Sequence, residues 1–210
     1  MKFHALIPLL PLLAAASPCT PPRSPPTDIT ASQIEAIAPK SSSCANPDKT
    51  APKECATAGQ AGPAFTAAFK KYGVTSKAEQ AAVIALTAFE SGEYRFSRNH
   101  YPGVAGQGTR NMQSPAFNKK YAASIPELAG RFEAVKDQPA EVLDLLLEDV
   151  NVDFGSGAWF LTTECSKSVR EGLQSGTEDG WKAFIVDCVG TEANQDRKDY
   201  WLKAVDALEV

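Results

Sequence analysis

The sequence predicts a mainly helical fold, and two observations carry that reading. Beyond Cys55 the apolar residues recur at helical spacing almost to the C-terminus. Start and stop signals bracket the apolar runs: Gly73 and Gly92 stand just past two of them, and Ser76-Lys77-Ala78-Glu79 has the form of a capping box before the second. The length suits one domain of about 190 residues after removal of a leader.

The elements follow in order. Met1-Lys2-Phe3-His4 and the apolar run Ala5 to Ala16, with small residues at its end, read as a signal peptide over 1–16. This run is too short and too interrupted by Pro8 and Pro11 to span a bilayer. Residues 17–43 are rich in Pro, Ser, Thr and Ala and are expected to form an extended leader or linker, with the folded domain over 44–210. Helices are expected over 63–72, 81–89, 114–123, 126–136, 139–148, 155–173, 178–189 and 192–208. Tyr94 to Gly108 breaks the pattern with aromatic, Arg, Asn, Gly and Pro residues and reads as a loop or small hairpin. Trp159, Phe160, Trp181, Phe184, Tyr200 and Trp201 are expected mostly in the core.

Five cysteines in an exported chain imply disulfides with one left over. Pairing of sequence neighbours, Cys44 with Cys55 and Cys165 with Cys188, is the simplest scheme, each bridge stabilising by about 3 kcal/mol. Without a Cys-x-x-Cys pair and with two histidines, zinc ligation is disfavoured, and no cofactor is expected. A net charge of −4 and the lack of a basic stripe argue against a nucleic-acid partner. The expected product is a secreted monomer without a membrane anchor.

Glu90 closes the helix that contains Val83, Leu86 and Thr87, on a largely apolar face. Desolvation and the negative end of the helix dipole both disfavour a charged carboxylate there, which is what a general acid requires. Glu90-Ser91-Gly92 is followed by Gly106-Gln107-Gly108-Thr109-Arg110-Asn111-Met112-Gln113, and then by Asp153-Phe154-Gly155-Ser156-Gly157-Ala158-Trp159-Phe160-Leu161. This order and spacing resemble the Glu-Ser-Gly, Gly-Leu-Met-Gln and aromatic-Leu motifs of goose-type lysozymes and soluble lytic transglycosylases, and also look similar to fungal secreted muramidases.

The resemblance covers roughly 63–189. It implies a lysozyme-like helical domain with a small loop or β-hairpin region beside the cleft, and Glu90 as catalytic acid. The implied activity is a muramidase acting on peptidoglycan between N-acetylmuramic acid and N-acetylglucosamine. A lytic transglycosylase, a chitinase-type enzyme and a non-catalytic glycan-binding protein are the alternatives. Tyr101, Gln107, Arg110, Asn111 and Gln113 are the expected substrate-binding residues, offering planar donors and acceptors and one stacking ring. Two features depart from the family. Tyr94 to Gln113 holds no Asp or Glu, and Val186-Asp187-Cys188-Val189-Gly190 stands where transglycosylases carry Ala-Tyr-Asn-Ala-Gly. Glu93, Asp153 and Asp187 are the candidates for a second carboxylate.

Overall fold

Ten α-helices organise residues 28–210, the part of the chain that the computed structural model describes. The signal-peptide reading and Cys19 fall outside these residues. The helices are α1 Ala31–Ile37, α2 Ala58–Tyr72, α3 Lys77–Glu90, α4 Pro115–Ala123, α5 Ala129–Val135, α6 Pro139–Leu147, α7 Val150–Thr163, α8 Lys167–Gln174, α9 Glu178–Ala183 and α10 Gln195–Leu208. The mainly helical expectation holds, and the region 94–113 contributes isolated bridges from Gly108 to Arg98 and Gln113 but no hairpin strands.

The leader was placed too far along the chain. Thr30 caps α1 through a reciprocal box with Gln33, and Ile34 and Ile37 are fully buried against the rest of the fold. Pro39–Ser42 adds a short 3-10 turn that brings Lys40 to Glu93. Low apolar content averaged over 17–43 concealed these buried anchors.

α3 runs through the centre of the molecule, and its residues 78–88 are all buried. A helix apolar on every side belongs inside, and here α10 crosses one flank while α7 approaches another. Phe65 of α2 meets Phe154 of α7 edge-on at 5.2 Å, and Trp181 stacks on Trp201 at 5.2 Å. A second core gathers Tyr121, Phe132, Leu146, Trp159 and Phe160 between α4, α5, α6 and α7. Tyr72, at the end of α2, packs against both cores.

Three local expectations change. α2 begins at Ala58, capped by a Thr57–Gln60 box, so Pro63 lies inside the helix, within its first two turns. At α3, Ser76 makes no side-chain cap; Glu79 is buried and accepts from Arg170 Nε at 2.8 Å instead. The single helix expected over 155–173 is two: α7 starts at Val150, capped by Asp149, and Ser166 caps α8. Cys165 sits at the break and is bonded to Cys188; Cys44 and Cys55 form the other bridge, both as expected.

Candidate active site

α3 delivers Glu90 from the interior to the surface at its last residue. The turn that follows is tightly wound: Gly92, Glu93 and Tyr94 have φ of 60°, 63° and 64°, three left-handed residues in succession. Non-glycine residues seldom adopt this region, and hydrogen bonds hold both here. Glu93 accepts from the Lys40 amide at 2.6 Å and the Tyr200 hydroxyl at 2.8 Å, while Tyr94 is fully buried and its amide donates to Ser91 Oγ at 2.9 Å. Ser91 Oγ donates in turn to Thr87 O at 2.6 Å. Ser91 and Glu93 therefore fix the turn, and Glu93 is no second carboxylate for the cleft.

Glu90 is not alone on an apolar face. Arg197 Nη2, from the first turn of α10, donates to Glu90 Oε1 at 2.8 Å, and its guanidinium lies 4.4 Å from the Phe89 ring centroid. The side chains of the pair are 22% and 14% exposed, so the pair is reachable from solvent yet set into the surface. Arg197 stands 107 residues from Glu90, and no local motif marked it.

Two adjoining cavities share this pair's neighbourhood. One, of about 410 Å³, is lined by Glu90, Phe96, His100, Tyr101, Gln107 and Met112 among others. The other, of about 250 Å³, has Glu90, Arg197, Gln107 and Gln113 beside the apolar walls of Phe117 and Phe160. A polar strip thus meets an apolar wall, the composition of a small-molecule site.

The expected binding residues divide. Gln107 lines both cavities, with its Nε2 donating to Met112 O at 3.1 Å, and Tyr101 stands 92% exposed at the outer edge. Asn111 and Gln113 are buried beside the inner cavity and joined by an Nδ2 to Oε1 hydrogen bond of 3.1 Å. Asn111 Oδ1 and Gln113 Nε2 have no partner among the described residues.

Arg110 is not a cleft residue. Its backbone amide and Nε donate to Asp153 at 2.9 and 2.7 Å, and its remaining nitrogens donate to the carbonyls of Tyr94, Phe96 and Glu54. At 5% exposure it is an internal clamp that ties the turn after Glu90 to α7. Burial pushes the Asp153 carboxyl upward while Arg110 opposes the shift, and Asp153 is fully engaged in this clamp. Asp187 lies in the π-helical turn Phe184–Val189 and lines neither cavity. His100 Nε2 pairs with Glu54 Oε1 at 2.9 Å.

The chain is 46% identical over 155 residues to a bifunctional dioxygenase (DOX)-epoxy alcohol synthase (EAS) of Fusarium oxysporum (strain Fo5176). That relative is an enzyme. The match takes in 71% of this chain but 12% of the relative, so the chain spans about an eighth of it. No family model matches the chain and no solved structure matches it, so neither bears on the goose-type lysozyme resemblance.

The muramidase expectation is corrected by this relative, which is named for dioxygenase and epoxy alcohol synthase activity and not for glycoside hydrolysis. Its alternatives, transglycosylase, chitinase-type enzyme and glycan-binding protein, fall with it. The Glu-Ser-Gly and Met-Gln motifs fall at a helix end and at a neighbouring turn. Here Ser91 and Arg110 serve those turns structurally.

Proposed function

We propose that this chain is a ligand-binding, proton-exchanging unit of an enzyme that handles oxygenated, uncharged molecules of the epoxy-alcohol kind. One observation carries the reading: the partly buried Glu90–Arg197 ion pair at the meeting of two cavities with polar and aromatic walls. An epoxy alcohol presents one hydroxyl, which donates, and one ring oxygen, which only accepts. Glu90 takes the hydroxyl proton as a hydrogen-bond acceptor, Arg197 supplies N–H donors for the ring oxygen, and Phe117 and Phe160 face the hydrocarbon. Glu90 is the acid or base of any proton transfer in this site, and Gln107 orients the ligand.

Insertion of dioxygen is chemistry for a haem, a flavin or a metal centre. The described residues do not fit a metal centre or an axial haem ligand set. Among the described residues no three His, Cys, Asp or Glu side chains form a metal-binding group, four cysteines are in disulfides, and His100 is held by Glu54. The oxygenase chemistry of the relative belongs, in this reading, to the part of it that this chain does not match. The two disulfides support an oxidising compartment, in keeping with export.

The test is titration of the purified chain with a medium-chain epoxy alcohol, followed by NMR at the side-chain amides of Gln107, Asn111 and Gln113. Saturable shifts at these amides, weakened about tenfold in Glu90→Gln, are expected, since a hydrogen bond to a charged group is worth roughly 1.5–3 kcal/mol. Equal binding of the corresponding plain hydrocarbon, or no shift at these amides, overturns the reading.

A further inference from the structure

His100 lines the outer cavity, of about 410 Å³, together with Glu90 and Gln107, and its ring is held in place from two sides. Glu54, in the segment before α2, provides the first hold. Its Oε2 accepts from the backbone amides of Ser97 and Arg98 at 2.8 and 3.1 Å, which leaves Oε1 for His100 Nε2 at 2.9 Å. The Glu54 side chain is 12% exposed and that of His100 39%, so a sheltered carboxylate holds a ring that water can reach. Phe96 provides the second hold, meeting the imidazole edge-on at 5.5 Å between centroids. The Cys44–Cys55 bridge anchors the residue next to Glu54.

The nitrogen that can exchange a proton follows from this arrangement. A carboxylate only accepts, so Nε2 is the N–H of the neutral ring and Nδ1 carries the lone pair. A carboxylate that fixes the tautomer in this way prepares a histidine to act as a base. Glu90 and His100, two side chains able to exchange protons, therefore line the same cavity.

We infer that this cavity opens the epoxide of its ligand with water, His100 acting as general base and Glu54 as the residue that positions it. The inference rests on the epoxy-alcohol reading of the Glu90–Arg197 pair and adds a reaction to it. An epoxide is a strained ether, which water opens when a base takes the water's proton and donors hold the ring oxygen. His100 Nδ1 takes a proton from a water in the outer cavity as the water oxygen bonds to a ring carbon. The bond between that carbon and the ring oxygen breaks, and its electron pair goes to the oxygen, held by N–H groups of Arg197. This oxygen then takes a proton from solvent, and His100 returns its own to solvent. One epoxy alcohol and one water become one triol, and no oxidant is consumed. Glu90 keeps the neighbouring hydroxyl in place throughout. A reaction that forms an epoxy alcohol would supply the substrate.

The test incubates the whole chain with a medium-chain epoxy alcohol in heavy-oxygen water and reads the products by mass spectrometry. A triol carrying a single heavy oxygen is expected. His100→Gln should slow its formation by at least about a hundredfold, the loss of a positioned base, while the epoxy alcohol still shifts the Gln107 amide. Glu54→Gln should slow it similarly and also move the ring proton. The new carboxamide oxygen takes the Ser97 and Arg98 amides, its N–H turns to His100 Nε2, and the proton of the neutral ring passes to Nδ1. Nitrogen NMR of His100, the only histidine among the described residues, reads that change. A triol formed as fast by His100→Gln as by the parent, or epoxy alcohol bound at the Gln107 amide and recovered unopened, overturns the proposal. Full activity in Glu54→Gln with the ring proton still on Nε2 overturns the part given to Glu54. Absence of any shift at the Gln107 amide overturns the epoxy-alcohol reading and this reaction with it.

Discussion

Arg110 and Asp153 form the internal brace of the site: Arg110 Nε lies 2.7 Å from Asp153 Oδ2, and both side chains are at most 6% exposed. The same guanidinium holds the carbonyls of Tyr94 and Glu54, so one side chain joins the turn after Glu90, the segment before α2 and the first turn of α7. Removing one partner of a buried ion pair leaves the other charge unpaired. Arg110→Met is therefore expected to destabilise the fold by about 3–5 kcal/mol, measured by urea denaturation. The double variant Arg110→Met with Asp153→Leu should recover part of the loss but not all, because the freed backbone carbonyls remain without donors. A loss under about 1 kcal/mol in the single variant would show that the brace contributes little.

Arg197 is expected to behave differently. Its pair with Glu90 is partly screened by water, so its contribution to stability is small, within about 1 kcal/mol, with the Phe89 contact adding about 0.5–1 kcal/mol. Arg197→Met should lower the melting temperature by only a few degrees. Epoxy alcohol binding at the Gln107 amide should nevertheless fall about tenfold. A variant that unfolds, or one that binds as well as the parent, argues against a ligand-facing role for Arg197.

The contrast between these two arginines shows what the sequence made legible. Helices announced themselves through periodicity and caps, and neighbouring cysteines paired as expected, because those signals are local. Glu90 stood out as a candidate for the same reason, since a carboxylate at the end of an apolar helix is visible in a short window. Arg197 was not, because it reaches Glu90 from 107 residues away. Arg110 was misplaced in the cleft since polar residues of a Gly-rich loop look alike until their partners are known. α1 was missed because two buried isoleucines decide its fate inside a stretch of Pro and Ser. Glu79 likewise fitted a capping box locally, but α8 offered Arg170 as a stronger partner.

Alkaline stability should report the buried tyrosines. Burial is the largest cause raising the pKa of Tyr94, Tyr121 and Tyr200. A phenol whose folded pKa exceeds its unfolded value adds stability that is complete below the unfolded pKa, about 10, and is lost as pH rises beyond it. Tyrosinate absorbance and far-ultraviolet circular dichroism, followed together with rising pH, should show Tyr94 and Tyr121 ionising only as the helices melt. Their reversible ionisation near pH 10 with the fold intact would contradict their enclosure.

Gly157 links the core to the cleft and gives a separate test of how Asn111 is placed. A Cβ there would stand 3.0 Å from Val83 Cγ1, 3.1 Å from Thr87 Cγ2 and 3.4 Å from Asn111 Oδ1, so α3, α7 and the cleft segment meet at this hydrogen atom. In an otherwise ordinary helix Gly→Ala stabilises by about 0.5–1 kcal/mol. Here that gain opposes overpacking of about 1–3 kcal/mol, because Val83 and Thr87 are buried and α3 is enclosed on every side. Gly157→Ala is expected to be destabilising on balance by about 1–2 kcal/mol. It should also displace Asn111, which has only the Gln113 side chain to hold its amide. The Asn111 and Gln113 amide resonances should therefore shift in the free protein. A stabilised variant with unmoved amide resonances would mean that the helices yield easily at this crossing.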